Sequence, residues 1–217
     1  MKRHRGPLLT LLALIALGGA LLAANGATAT PPNAVAESAP APEPPVVTTP
    51  PPAPVQVAYA GRTAGKEATI AIAVSDGRAV AYLCDGKKVE AWLEGTVENG
   101  ALALRAEDGA TASGTVTGEA VDGTVTTSGA TWDFTAERAT ATAGTYRADT
   151  TVAGVQTRIG WNVLNDNTVT GLRRDASGVA PAPPLDPARR STAIDGSPLD
   201  VRPVTGADRI DSGGQAG

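Results

Sequence analysis

The chain has 217 residues, with 18 Lys and Arg against 22 Asp and Glu, 17 prolines, 25 glycines and only 7 aromatic side chains. Near-balanced charge disfavours a basic nucleic-acid binder, and the scarcity of long helix formers beside Ala, Thr, Gly and Val disfavours a helical bundle. A single apolar stretch also excludes a protein with several membrane-spanning helices.

Met1 to Pro7 is short and basic, and an uncharged apolar run follows from Leu8 to Ala24. That is the pattern of an export signal. Residues 1–30 therefore read as a signal peptide or a single-span membrane anchor. Ala27-Thr28-Ala29 offers the small residues that a signal peptidase needs, whereas the 17-residue run is long enough to be retained. In both cases Lys2, Arg3 and Arg5 keep the N-terminus in the cytoplasm, so everything after residue 30 is expected outside. If the segment is uncleaved, residues 8–24 make the membrane contact.

Residues 31–54 hold ten prolines in 24 positions. Proline fixes its own φ and restricts its predecessor, so this segment reads as an extended spacer, reaching on the order of 70 Å at about 3.1 Å per residue. A docking role for its Pro-rich motifs is the alternative.

Residues 55–180 contain no proline and all of the aromatics: Tyr59, Tyr82, Trp92, Trp132, Phe134, Tyr146 and Trp161. One β-domain is expected over 55–175, punctuated by Asp76-Gly77, Asp85-Gly86, Asn99-Gly100, Asp108-Gly109 and Asp122-Gly123. Ten short alternating or β-branched runs are predicted as strands: 69–75, 79–84, 89–97, 101–106, 112–118, 123–127, 130–136, 144–150, 155–164 and 168–174. The fold class is all-β, an antiparallel meander forming an up-and-down barrel or a two-sheet sandwich. The turn glycines recur with a 23-residue period, which reflects turn geometry, since few other residues repeat. Residues 176–217 read as a mostly disordered tail, except that Leu199 to Val204 alternates and would suit an edge strand, the only place for Pro203.

The run from Tyr59 to Gly95, with the later Gly144-Thr145-Tyr146-Arg147-Ala148 and Thr157 to Leu164, resembles a group of uncharacterised exported proteins of high-GC Gram-positive bacteria. The resemblance spans about residues 59–175 and implies an extracytoplasmic β-domain on an Ala/Pro linker. It carries no activity and no site residues.

Chemistry is bounded by elimination. The only histidine, His4, lies in the export segment, which removes His-based triads, His acid–base catalysis and the common catalytic zinc arrangements. The only cysteine, Cys84, removes intrachain disulfides and Cys-cluster metal sites, and is expected to be a small buried hydrophobe. No phosphate-cradling loop or dinucleotide fingerprint is present, and no cofactor is expected. With 11 basic and 15 acidic residues over 57–175, the pairs Arg173-Arg174 and Arg189-Arg190 do not make a polyanion patch.

A weak catalytic candidate is the pair Glu90 and Glu94. With Trp92 they share one strand face, opposite Val89, Ala91 and Leu93, and they read as two carboxylates roughly 7 Å apart that flank a sugar ring. The plainer reading of that face is a solvated outer surface with Trp92 lying over a neighbouring strand, and a binding role for Trp92 is the third possibility. Ser75 or Ser113 with Lys66, Lys87 or Lys88 lacks motif spacing, and Asn165-Asp166-Asn167 reads as a turn rather than a calcium loop. The expected function is a binding or structural module with a cell-envelope partner or glycan. A glycan-directed enzyme and a small-molecule-binding barrel are the alternatives, and the enzyme question leans to no.

Overall fold

The computed structural model describes residues 56–210. The export segment and the Pro-rich spacer lie outside the described residues. Each of the ten predicted runs coincides with a strand, and one further strand precedes them. In chain order, β1 (Gln56–Thr63), β2 (Thr69–Ser75), β3 (Arg78–Cys84), β4 (Glu90–Glu98), β5 (Ala101–Arg105), β6 (Thr111–Val116), β7 (Ala120–Thr126) and β8 (Thr131–Arg138) form an antiparallel meander. Pairing of β8 back onto β1, from Tyr59↔Arg138 to Thr63↔Phe134, closes it into an eight-stranded barrel.

Period-two alternation fills the barrel. Ile70 and Ile72 of β2, Ala79, Ala81 and Leu83 of β3, Ala91 and Leu93 of β4, Leu102 and Leu104 of β5, Val121 and Val125 of β7 and Phe134 of β8 pack into one buried cluster. The interior is therefore a packed core, which leaves a ligand-holding barrel without physical support. Closure depends on inward-facing glycines. A Cβ at Gly61 would lie 1.9 Å from the Thr135 carbonyl oxygen, and one at Gly95 would lie 2.0 Å from that of Ala103. At these points neighbouring strands approach too closely for any side chain.

Asp76-Gly77 and Asn99-Gly100 are hairpin turns in which both residues take positive φ, as expected for such dipeptides. Asp122-Gly123 is not a turn. It lies within β7, where Gly123 opposes Gly114 and a Cβ would stand 2.2 Å from the Ser113 carbonyl oxygen. The chain reverses instead through residues 117–119, with Gly118 at φ 88°.

After the barrel come β9 (Gly144–Val152), β10 (Val155–Val163), β11 (Val169–Asp175), β12 (Gly178–Pro181), β13 (Ala193–Ile194), β14 (Ser197–Pro198) and β15 (Arg202–Pro203). The described residues thus hold fifteen strands where ten were expected. β13 and β14 form a short hairpin, and the others form a second sheet in the order β12-β11-β10-β9-β15. One face of this sheet packs on the outside of the barrel at β1 to β3. Asn162 is the node of that contact: its Nδ2 donates to the Tyr82 carbonyl at 2.8 Å and to Thr69, and its Oδ1 accepts from Thr145 Oγ1 at 3.1 Å. Wholly buried, its amide has partners on both layers, as a buried polar group requires.

The other face of the sheet carries Tyr146, Ile159, Trp161 and Val163, covered by Leu185 and Val201 from the following segment. Residues 176–210 are therefore not a disordered tail. Trp161 Nε1 donates to the Pro183 carbonyl at 2.9 Å, and β15 pairs with β9 at the sheet edge, where Pro203 has no ladder donor to supply. Composition misleads here because prolines that disfavour regular structure still bury apolar neighbours.

Candidate functional site

Glu90, Trp92 and Glu94 do share the outward face of β4, but that face is not solvated. The second sheet lies over its first half. The Glu90 side chain is only 3 % exposed; its Oε2 accepts from the Tyr82 hydroxyl at 2.8 Å and its Oε1 from Arg174 Nε at 2.5 Å. Burial, followed by the neighbouring Cys84 and Glu90, pushes the Tyr82 hydroxyl well above its ordinary pKa, so it stays a donor to Glu90. Glu94 is engaged elsewhere, accepting from the backbone N–H of Ile210 in the C-terminal segment.

The sequence-level distance also needs correction. Four residues of extended chain span about 13 Å at roughly 3.3 Å per residue, about twice the separation expected of a catalytic pair on this strand. One carboxylate is buried in an ion pair and the other holds a passing backbone. The described structure does not bring them to a common concave site.

Trp92 is 8 % exposed and stacks on Tyr82 with ring centroids 4.2 Å apart. Both rings lie against Gly160 of β10, where a Cβ would stand 2.6 Å from Trp92 and 2.7 Å from Tyr82. The guanidinium carbons of Arg147 and Arg158 each sit 5.9 Å from the Trp92 ring centroid. A ring enclosed in this way is no platform for a sugar, so Trp92 is a core residue of the seam between the layers.

Sequence reading missed those arginines. The register explains their position: Arg158 of β10 lies opposite Asp149 of β9 on one side and Arg174 of β11 on the other. Arg147 lies opposite Gly160, on the same face. Alternation within the predicted strands 144–150 and 155–164 places Arg147 with Asp149 and Arg158 with Asn162, but nothing in the alternation tells that this face meets Trp92. Arg147 binds Asp149 with two parallel bonds, Nε to Oδ2 at 2.7 Å and Nη2 to Oδ1 at 2.8 Å. Arg158 is pulled below its ordinary pKa, first by burial and then by Arg147 and Arg174, against the pull of Glu90.

Two surface clefts flank the domain. One of about 440 Å³ lies between the β1–β8 closure and the β10–β11 turn, lined by Arg62, Lys66, Asp133, Glu137 and Asp166 among others. Asp166 accepts from Arg62 Nη2 at 2.9 Å, and its pKa falls to about 2, chiefly through the Thr168 backbone N–H and then the Thr168 hydroxyl and Arg62. Residues 165–167 form the turn itself, and no group of three metal-ligating side chains occurs among the described residues. The other cleft, about 390 Å³, is bordered by Trp92, Glu94, Arg105, Glu107, Arg209 and Ile210.

The remaining candidates stay apart. Ser75 is buried at the end of β2, Ser113 is on the exposed face of β6, and no hydrogen bond joins either to Lys66, Lys87 or Lys88 among the described residues. Cys84 is buried, its Sγ accepting from the Gly86 N–H at 3.3 Å, and burial lifts its pKa to about 11. No protein-family model matches the chain, and no match was found among curated proteins or solved structures.

Proposed function

We propose that this chain is an extracytoplasmic, non-catalytic β-barrel module that acts by binding a cell-envelope partner or glycan, or by structural presence. Export would run through the apolar segment 8–24, which either is removed or stays as the membrane contact, and residues 31–54 would carry the domain away from the membrane. The observation that carries the non-catalytic part is that the two weak catalytic candidates are parted: Glu90 is buried against Tyr82 and Arg174, while the half-buried Glu94 holds the Ile210 N–H at the edge of the smaller cleft. A general acid needs a carboxyl that can reach substrate and exchange a proton. Glu90 is closed off from any substrate, and Glu94, at the edge of the smaller cleft, does not share a site with it. The resemblance to exported β-domain proteins supports the same location.

The test has two arms. A reporter that works only outside the cytoplasm, fused after residue 55, is expected to be active; activity of a cytoplasm-only reporter instead would overturn the location. The purified protein is expected to release no sugar from cell-wall glycan. Hydrolysis that disappears in Glu90→Gln or Glu94→Gln would overturn the non-catalytic reading.

A further inference from the structure

The larger cleft, about 440 Å³, lies between the barrel's closing seam and the β10–β11 turn. Antiparallel register lays out its floor: Ala60 opposes Glu137, Arg62 opposes Thr135, and the Ala64 N–H donates to the Asp133 carbonyl. Asp133, Thr135 and Glu137 occupy alternate positions of β8, so their side chains share its outer face, and all three are exposed. Lys66 follows beyond Asp133, in the β1–β2 turn. Along the cleft, carboxylate and cation therefore alternate in the order Glu137, Arg62, Asp133, Lys66. From Asp133 to Glu137 the row covers about 13 Å at roughly 3.3 Å per residue.

The row is arranged in advance. Arg62 reaches across to the far wall, where its Nη2 donates to Asp166 and to Thr168 Oγ1, each at 2.9 Å, so the guanidinium is fixed while its Nε and Nη1 make no bond among the described residues. Asn165 of the same wall is fixed too, its Oδ1 accepting from the Thr140 N–H at 3.0 Å and its Nδ2 donating to the Arg138 carbonyl at 3.1 Å. Lys66 and Glu137 take part in no ion pair among the described residues. Ala60, Gly61 and Leu164 put small apolar groups between the charges.

We propose that this cleft binds an uncharged saccharide whose hydroxyls lie along the row. A hydroxyl both donates and accepts, so between a carboxylate and a cation it satisfies both neighbours, and a sugar presents such groups in series. A ligand of either net charge meets a group of its own sign beside every partner, and an apolar ligand would strip water from charges that it cannot satisfy. A short peptide carries its charges only at its ends, whereas the row alternates along its length. The one aromatic that borders the cleft, Phe134, belongs to the barrel core, so no ring stacks on the sugar and the binding is weak. The site rests on the proposed binding role, for which it supplies a ligand class, and does not depend on where the protein resides.

Backbone amide resonances of the full-length, nitrogen-labelled protein test this, with maltose, cellobiose and N,N′-diacetylchitobiose titrated separately and trialanine as the peptide probe. At least one disaccharide is expected to move the amides of residues 60–66, 133–137 and 164–166 saturably, and trialanine to leave them in place. Glu137→Ala is expected to weaken the response about tenfold, the usual effect of losing one hydrogen bond to a charged group. Glu98→Ala, which removes an exposed carboxylate of β4 outside the cleft, is expected to leave it unchanged. Both positions are exposed, so neither variant threatens the fold. Saturable shifts confined to another face, or a response that Glu137→Ala leaves intact, would overturn this site while the binding role stood. A response to trialanine alone would overturn the saccharide in favour of a peptide. No response to any of the disaccharides would overturn the site in the wild-type protein itself, and binding would then have to run through a protein partner.

Discussion

Cys84 ends β3 with its thiol wholly buried, and burial lifts the pKa from an ordinary 9.0 to about 11. The consequence for stability has a definite sign. Below pH 9 the thiol is protonated in folded and unfolded chains alike. Between about 9 and 11 the unfolded chain releases its proton while the folded one retains it, so stability falls as pH rises through that window. Tyr82, raised in the same direction, extends the loss to higher pH. Melting temperature measured from pH 8 to 11 is expected to drop more steeply for the wild type than for Cys84→Ala. Equal slopes would show that the thiol ionises as readily in the fold as outside it. The same burial agrees with the expectation, drawn from a lone cysteine ending an apolar strand, of a small packed hydrophobe. Glu90 was not legible in this way, because its Tyr82 and Arg174 partners come from elements 8 and 84 residues away along the chain.

At the scale of elements, strand identity was legible and strand environment was not. The runs from 69 to 174 became β2 to β11 because alternation and β-branched residues are local signals. β1 was missed: it has no turn dipeptide before it and adjoins the proline-rich segment. Asp122-Gly123 was misread because an Asp-Gly pair looks alike in a hairpin turn and at a barrel crossing, and only the close approach of Gly114 distinguishes them. Closure glycines therefore give a sharp element-level test. Gly95→Ala would press a methyl against the Ala103 carbonyl, and it is expected to cost about 1–3 kcal/mol or prevent folding, as overpacking does. Gly129→Ala, where a Cβ meets nothing within 4 Å, is expected to stay within about 0.5 kcal/mol of wild type. Urea denaturation of both variants checks this, and equal effects would remove close strand approach as the reason for glycine at position 95.

At the scale of the molecule, the fold is a packed barrel with a second sheet on its outer wall and the C-terminal segment wrapped over that sheet. Period-two alternation cannot reveal such layering, since a face covered by another sheet and a face open to water follow the same pattern when the cover is polar, as it is at Arg147 and Arg158. Proline content hid the wrap. On sequence grounds residues 55–178 would be a complete folding unit. The structure argues otherwise: Leu185 and Val201 bury the outer face of the second sheet, and Val204 and Ile210 pack with Val80 and Trp92. Four aliphatic side chains at roughly 1.5–3 kcal/mol each amount to about 6–12 kcal/mol, comparable to the whole stability of an ordinary domain. Truncation would also leave Trp161 without its Pro183 acceptor and Glu94 without the Ile210 N–H. A fragment of residues 55–178 is therefore expected to aggregate or to lack a cooperative transition, while residues 55–210 unfold cooperatively with a β-type spectrum. Circular dichroism with urea titration of the two fragments measures the difference. A shorter fragment as stable as the longer one would show that the C-terminal segment merely rests on the sheet, and the folding unit would then end at β12 (Gly178–Pro181) or earlier.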